Sequence, residues 1–97
     1  MSVIETMTFQ LRDGGAEERF LEADKAVQCE FVPNHPGFLR RTTARAADGE
    51  WAVVTLWASA ADAEASAARG VDDPVMGTFM AMLEPTSVTT RRYETLD

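Results

Sequence analysis

The sequence predicts an α+β fold with the element order β-α-β-β-α-β, a four-stranded antiparallel sheet with helices on one face. Three observations carry this reading. The run Gly37 to Ser59, GFLRRTTARAADGEWAVVTLWAS, reads as one long β-hairpin, because Asp48-Gly49 sits in a short Ala46-Ala47-Asp48-Gly49 reversal between two stretches rich in Val, Thr, Trp and Phe. Segments of helical period flank the hairpin on both sides. A segment of period two lies beyond each of them, at either end of the chain.

Taken in order, Val3, Met7, Phe9 and Leu11 are apolar while Thr6, Thr8 and Gln10 are polar, which marks a half-buried strand with Glu5 as the exception on its apolar face. Asp13-Gly14-Gly15 breaks that pattern. Ala16, Phe20, Ala23, Val27 and Phe31 then recur at helical spacing, and Pro33 and Pro36 end the helix near Phe31, since proline lacks an amide donor and restricts its predecessor. In the first hairpin strand, strict alternation puts Phe38, Arg40, Thr42 and Ala44 on one face and Leu39, Arg41, Thr43 and Arg45 on the other. The return strand is apolar on both sides, as a central strand covered on two faces would be.

Ser59 followed by Asp62 approximates a capping box, so a helix starts there and runs to Arg69-Gly70, where glycine is expected to supply a left-handed end. Asp73-Pro74 opens another helix, with the stripe Met76, Phe79, Met80 and Leu83, stopped by Pro85. Ser87 to Leu96 is the last strand, polar on both sides and anchored by Val88, Tyr93 and Leu96. These elements lay two strand-helix-strand halves into the ferredoxin-like arrangement. One sheet face would be left bare, and a second copy of the chain is the economical cover, so a homodimer is expected.

The 97 residues make a single domain, residues 1–97, with a limited core. A net charge of −7 argues against nucleic-acid binding, which rests on Lys and Arg neutralising phosphates. No run approaches the ~20 apolar residues of a membrane span. The N-terminus lacks secretory-signal features and Cys29 is the only cysteine, which together suggest a cytoplasmic protein; Cys29 itself reads as a small core or half-buried residue. A lone cysteine and a lone histidine, His35, give no credible metal set.

The stretch Val53-Val54-Thr55-Leu56-Trp57-Ala58-Ser59 leading into Ala63-Glu64-Ala65, in this element order, resembles the antibiotic biosynthesis monooxygenase family of the dimeric α/β-barrel superfamily. The resemblance implies a homodimer with a cleft between sheet and helices. It also implies, for some members, oxygenation of aromatic polyketides or quinols without metal or flavin, hence no cofactor, and for others haem degradation. It marks Trp57 as a cleft residue and Ser59 as the helix cap. Family members often carry a histidine partway along the following helix, a position that falls near Ser66 in this chain, which has no histidine there.

Cofactor-free oxygenation needs an apolar, aromatic-lined, water-excluding pocket and a group that generates or stabilises a substrate anion. Trp57, Met7, Phe9, Phe79 and Met80 are the candidate lining residues for a small apolar or aromatic ligand; ordinary core packing is the plainer reading of each. His35, titrating near neutrality, is the candidate proton acceptor, against a loop residue packed between prolines. Arg40 is the candidate stabiliser of an oxyanion or enolate, against a pair with Glu5 or Glu94. The alternative to an oxygenase is a non-catalytic or stress-related ligand-binding barrel. Haem binding ranks last, because His35 is the sole imidazole.

Overall fold

The computed structural model describes residues 1–12 and 16–96. Strands β1 (Val3–Phe9), β2 (Phe38–Arg45), β3 (Trp51–Trp57) and β4 (Thr89–Glu94) form one antiparallel sheet in the order β2-β3-β1-β4. Between them lie α1 (Glu17–Ala26), α2 (Ala60–Gly70) and α3 (Pro74–Ala81). This is the ferredoxin-like fold that the element order implies. The break read at Asp13-Gly14-Gly15 lies outside the described residues.

Register fixes which side chains share a face. β1 pairs with β3 from Val3 opposite Trp57 to Phe9 opposite Trp51, so Val3, Glu5, Met7 and Phe9 lie beside Trp57, Thr55, Val53 and Trp51 under the helices. Ile4, Val54 and Leu56 occupy the other face, half-buried. The expected alternation of β2 is corrected by a bulge between Phe38 and Arg40. The extra residue reverses the pleat, so Phe38 stands opposite Trp57 and Arg41 opposite Thr55, whereas Arg40 stands opposite Leu56 on the bare face.

The hairpin closes as its residues predict. Gly49 takes a φ of +94°, and the Asp48 carboxylate accepts from the Glu50 N–H at 3.0 Å. Ser59 caps α2 by accepting from the Asp62 N–H at 3.1 Å, and its hydroxyl donates to Asp62 Oδ2 at 2.8 Å. Asp73 caps α3 by accepting from the amides of Val75 and Met76. Gly70, in contrast, is not a left-handed helix end: positive φ among the described residues occurs only at Gly37 and Gly49, and Val71 continues in helical geometry. Its lack of a side chain serves packing, since a Cβ there would come within 3.2 Å of Met76 and 3.4 Å of Phe31.

The core is aromatic. Phe20 lies 5.6 Å from Phe9, 5.4 Å from Phe79 and 4.7 Å from Trp51, ring centre to ring centre, and all four rings are buried. After Ala26 the helix loosens into a π-turn, Val27–Phe31, in which the Val32 N–H reaches back to the Val27 carbonyl. The extra residue per turn lets Val27, Phe31 and Val32 all point inward. Two smaller expectations are corrected. Cys29, on the outer side of that turn, is exposed, and Leu96, past the end of β4, is 93% exposed and anchors nothing.

Candidate functional site

Residues Ala63, Ser66, Ala67 and Gly70 recur at the spacing of one helix face, and all are small. Facing the sheet, they keep α2 from filling the space beneath it. The result is a cavity of about 400 Å³ between sheet and helices. Glu5, Met7, Arg41, Val53, Thr55 and Trp57 form its floor; the π-turn and the Met76, Phe79 and Met80 side of α3 form its walls. That volume lies at the small end of the ~300–1,000 Å³ typical of small-molecule sites.

Few polar groups reach this space, and they differ in how far they are partnered. Arg41 is only 8% exposed, and its Nη2 pairs with Asp24 of α1 at 2.8 Å. Thr43 donates to the same carboxylate oxygen at 2.8 Å, and the guanidinium lies 5.6 Å from the centre of the Phe79 ring. The Trp57 indole N–H is buried with no partner among the described residues. Such an unmade bond costs about 1–3 kcal/mol. The Ser66 hydroxyl, in the cavity roof, lies 2.7 Å from Nδ1 of His35.

His35 stands behind that hydroxyl, its ring edge-on to Phe31 at 4.4 Å. Burial pushes its pKa below the usual 6.5, the positive charge of Arg69 pushes it further down, and Asp73 partly opposes both. The imidazole is therefore neutral at pH 7 and able to accept a proton. At the opposite edge of the sheet, Arg92 of β4 bridges Glu5 at 3.0 Å and Glu64 of α2 at 3.2 Å.

Of the residues singled out from sequence, Trp57, Met7, Phe79 and Met80 line the cavity. Phe9 does not: it is fully buried behind Phe79, at 6.0 Å between ring centres. His35 meets the space only through Ser66. Arg40 is exposed on the far face of the sheet, and the bulge gives its expected position to Arg41. The pairing expected between Arg40 and Glu5 is made instead by Arg92. Sequence reasoning missed Arg41 and Ser66. The small-residue face of α2 was the available signal for Ser66; strict alternation hid Arg41.

No protein-family model and no curated protein matches the chain. Among solved structures, SnoaB from Streptomyces nogalater, a cofactor-independent oxygenase, superposes with a TM-score of 0.82 at 17% identity, over 99% of this chain and 94% of that one. A candidate antibiotic biosynthesis monooxygenase from Nitrosomonas europaea gives 0.73 at 17% identity, over 98% and 90% of the two chains. A dimeric ferredoxin-like protein from Jannaschia sp. CCS1 gives 0.74 at 15% identity, over 98% and 100%. The fold is shared with antibiotic biosynthesis monooxygenases. At these identities the likeness is one of fold, and what the cavity does is argued from its own residues. No helix among the described residues is long and apolar enough to cross a membrane.

Proposed function

We propose that the protein is a cofactor-independent monooxygenase that oxidises an aromatic or quinol-type small molecule in the cavity between sheet and helices. The observation that carries this reading is the cavity itself: an apolar chamber walled by Met and Phe side chains, with Trp57 in its floor and a Ser66–His35 pair at its roof. Against these apolar walls an ionised phenol or enol reacts with dioxygen as an electron-rich carbanion equivalent. The substrate supplies all four electrons. One oxygen atom becomes a new carbonyl oxygen on the ring, and the other leaves as water with the two hydrogens that the substrate loses. The proton released on ionisation passes to neutral His35 through the Ser66 hydroxyl.

Oxygen uptake with a panel of hydroxylated polycyclic aromatics and quinols tests this. The expected result is uptake above the autoxidation rate with one dioxygen consumed per product, lowered about tenfold or more in Trp57→Ala, because loss of a floor residue frees the substrate from its reactive pose. No turnover across the panel, or turnover indifferent to Trp57→Ala, counts against the reading. Saturable binding without oxidation would favour a plain ligand-binding protein.

The homodimer belongs to the same proposal. Ile4, Val54 and Leu56 form an apolar row on the bare face of the sheet, with Leu39 and Tyr93, 52% and 44% exposed, on its flanks. A second sheet covers such a face. Light scattering of the wild type is expected to give twice the 10.6 kDa chain mass, and Leu56→Glu to shift it toward the monomer. A monomeric wild type at micromolar concentration would contradict the dimer.

A further inference from the structure

The Ser66 hydroxyl has a chemistry open to it besides relaying a proton. Ser66 is only 5% exposed, in the cavity roof, and its Oγ lies 2.7 Å from Nδ1 of His35, the one imidazole of the chain. A hydroxyl within hydrogen-bond reach of a neutral imidazole is the arrangement that activates a serine nucleophile. With the ring proton on Nε2, Nδ1 accepts from the hydroxyl and draws off its proton as the oxygen attacks. Backbone bonds on both sides hold His35 in place. Its N–H donates to the Val32 carbonyl at 3.0 Å and its carbonyl accepts from the Phe38 N–H at 3.2 Å, while Phe31 stands edge-on to the ring at 4.4 Å. The same cavity has the Trp57 indole in its floor, whose N–H is buried without a partner among the described residues. An oxyanion formed in the chamber would supply the acceptor it lacks.

We propose that Ser66 and His35 act as a nucleophile and its base, giving the cavity a second, hydrolytic activity on small esters of phenols. Ser66 Oγ bonds to the ester carbonyl carbon while its proton passes to Nδ1 of His35. The oxyanion then collapses, the bond to the phenolic oxygen breaks, and that oxygen leaves with the proton from His35. Water attacks the acyl-serine by the same route, which releases a carboxylic acid and restores the hydroxyl. Among the described residues no carboxylate is hydrogen-bonded to His35, so the imidazolium lacks the support that a third group gives. A good leaving group is therefore required, a phenol rather than an amine. Apolar walls of Phe31, Met76 and Phe79 around about 400 Å³ suit a short acyl chain and a single ring. The inference shares the cavity and the hydroxyl–imidazole pair with the oxygenase reading and goes beyond it, since the reaction balances without dioxygen.

Hydrolysis of para-nitrophenyl butyrate under nitrogen tests this. Every form carries Cys29→Ala, because the exposed Cys29 thiol also attacks such esters. At pH 7.5 release of para-nitrophenolate is expected about a hundredfold above the buffer rate, and acid-quenched protein is expected to carry a butyryl group on Ser66 by peptide mass mapping. Ser66→Ala and His35→Gln are expected to bring the rate back to that of buffer. Loss of a hydrogen bond between α2 and the His35 loop also loosens the fold, so Ser66→Cys is measured beside them and is expected to be acylated at residue 66, where the alanine form is not. A parent protein that hydrolyses the ester at the buffer rate overturns the proposal, as does a butyryl group found only on residues other than Ser66 or a folded Ser66→Ala that keeps the parent rate. Ester turnover consumes no dioxygen, so its absence leaves the oxygenase reading standing, and absence of oxygen uptake with the phenol panel leaves this activity standing.

Discussion

Replacing Phe20 by Ala is expected to lower the free energy of unfolding by about 3–5 kcal/mol, the range for deleting a buried phenylalanine. Phe20 is fully buried and touches Phe9, Phe79 and Trp51, so its removal opens a space bounded by three rigid rings rather than by side chains that can swing into it. Rings held by one another in tilted geometry also lose pair contacts worth about 0.5–1.5 kcal/mol each. Against a total stability of about 5–15 kcal/mol, this is a large share for a single residue. Denaturant unfolding at fixed protein concentration measures it, since a dimer's stability depends on concentration. Phe20 is not a lining residue of the cavity, so protein that remains folded is expected to keep its ligand affinity. A loss under about 1 kcal/mol would mean that the aromatic cluster closes over the gap and is not the keystone of the core.

How far the sequence reveals this protein depends on how local each determinant is. The Gly49 reversal, the Ser59 and Asp73 caps and the proline stop after α1 each act within a few residues, and each is found where its chemistry puts it. The site is different, because its two missed residues depend on non-local events. A single bulged residue at the start of β2 exchanges Arg40 for Arg41, and period-two reasoning carries no information about where a pleat slips. Ser66 gains its meaning from His35, 31 positions away, which reaches it only because the chain after the π-turn folds back against α2. The small face of α2 was readable. Alanine, serine and glycine at helical spacing signal close approach as readily as they signal a void, and the bulky floor beneath α2 decides between the two. Gly70 shows the same ambiguity at one residue: a helix-ending glycine by sequence, a close-packing glycine by structure.

The His35–Ser66 pair carries the second large expected effect. If Ser66 passes the substrate proton to His35, then His35→Gln and Ser66→Ala each lower kcat about a hundredfold at pH 7, within the usual range for loss of a positioned proton acceptor. A purely structural hydrogen bond would also cost activity, so the deciding measurement is the pH profile. Only the neutral imidazole accepts a proton; wild-type kcat is therefore expected to rise with pH through the lowered pKa of His35, below 6.5, and to be level by neutrality. The charged groups that set this pKa are Arg69, which lowers it, and Asp73, which raises it. Arg69→Gln, at an exposed position, is expected to move the acidic limb to higher pH with the plateau unchanged, and Ser66→Ala to erase the limb with the rate already low. Stability declines over the same window, because the unfolded chain binds this proton more readily than the folded one does between the lowered pKa and 6.5. Full recovery of activity on return to pH 7 tells protonation from unfolding. A wild-type profile that stays flat below pH 6.5, or an acidic limb unmoved by Arg69→Gln, would take His35 out of the reaction and leave Ser66 as the hydroxyl that holds the loop after the π-turn against α2.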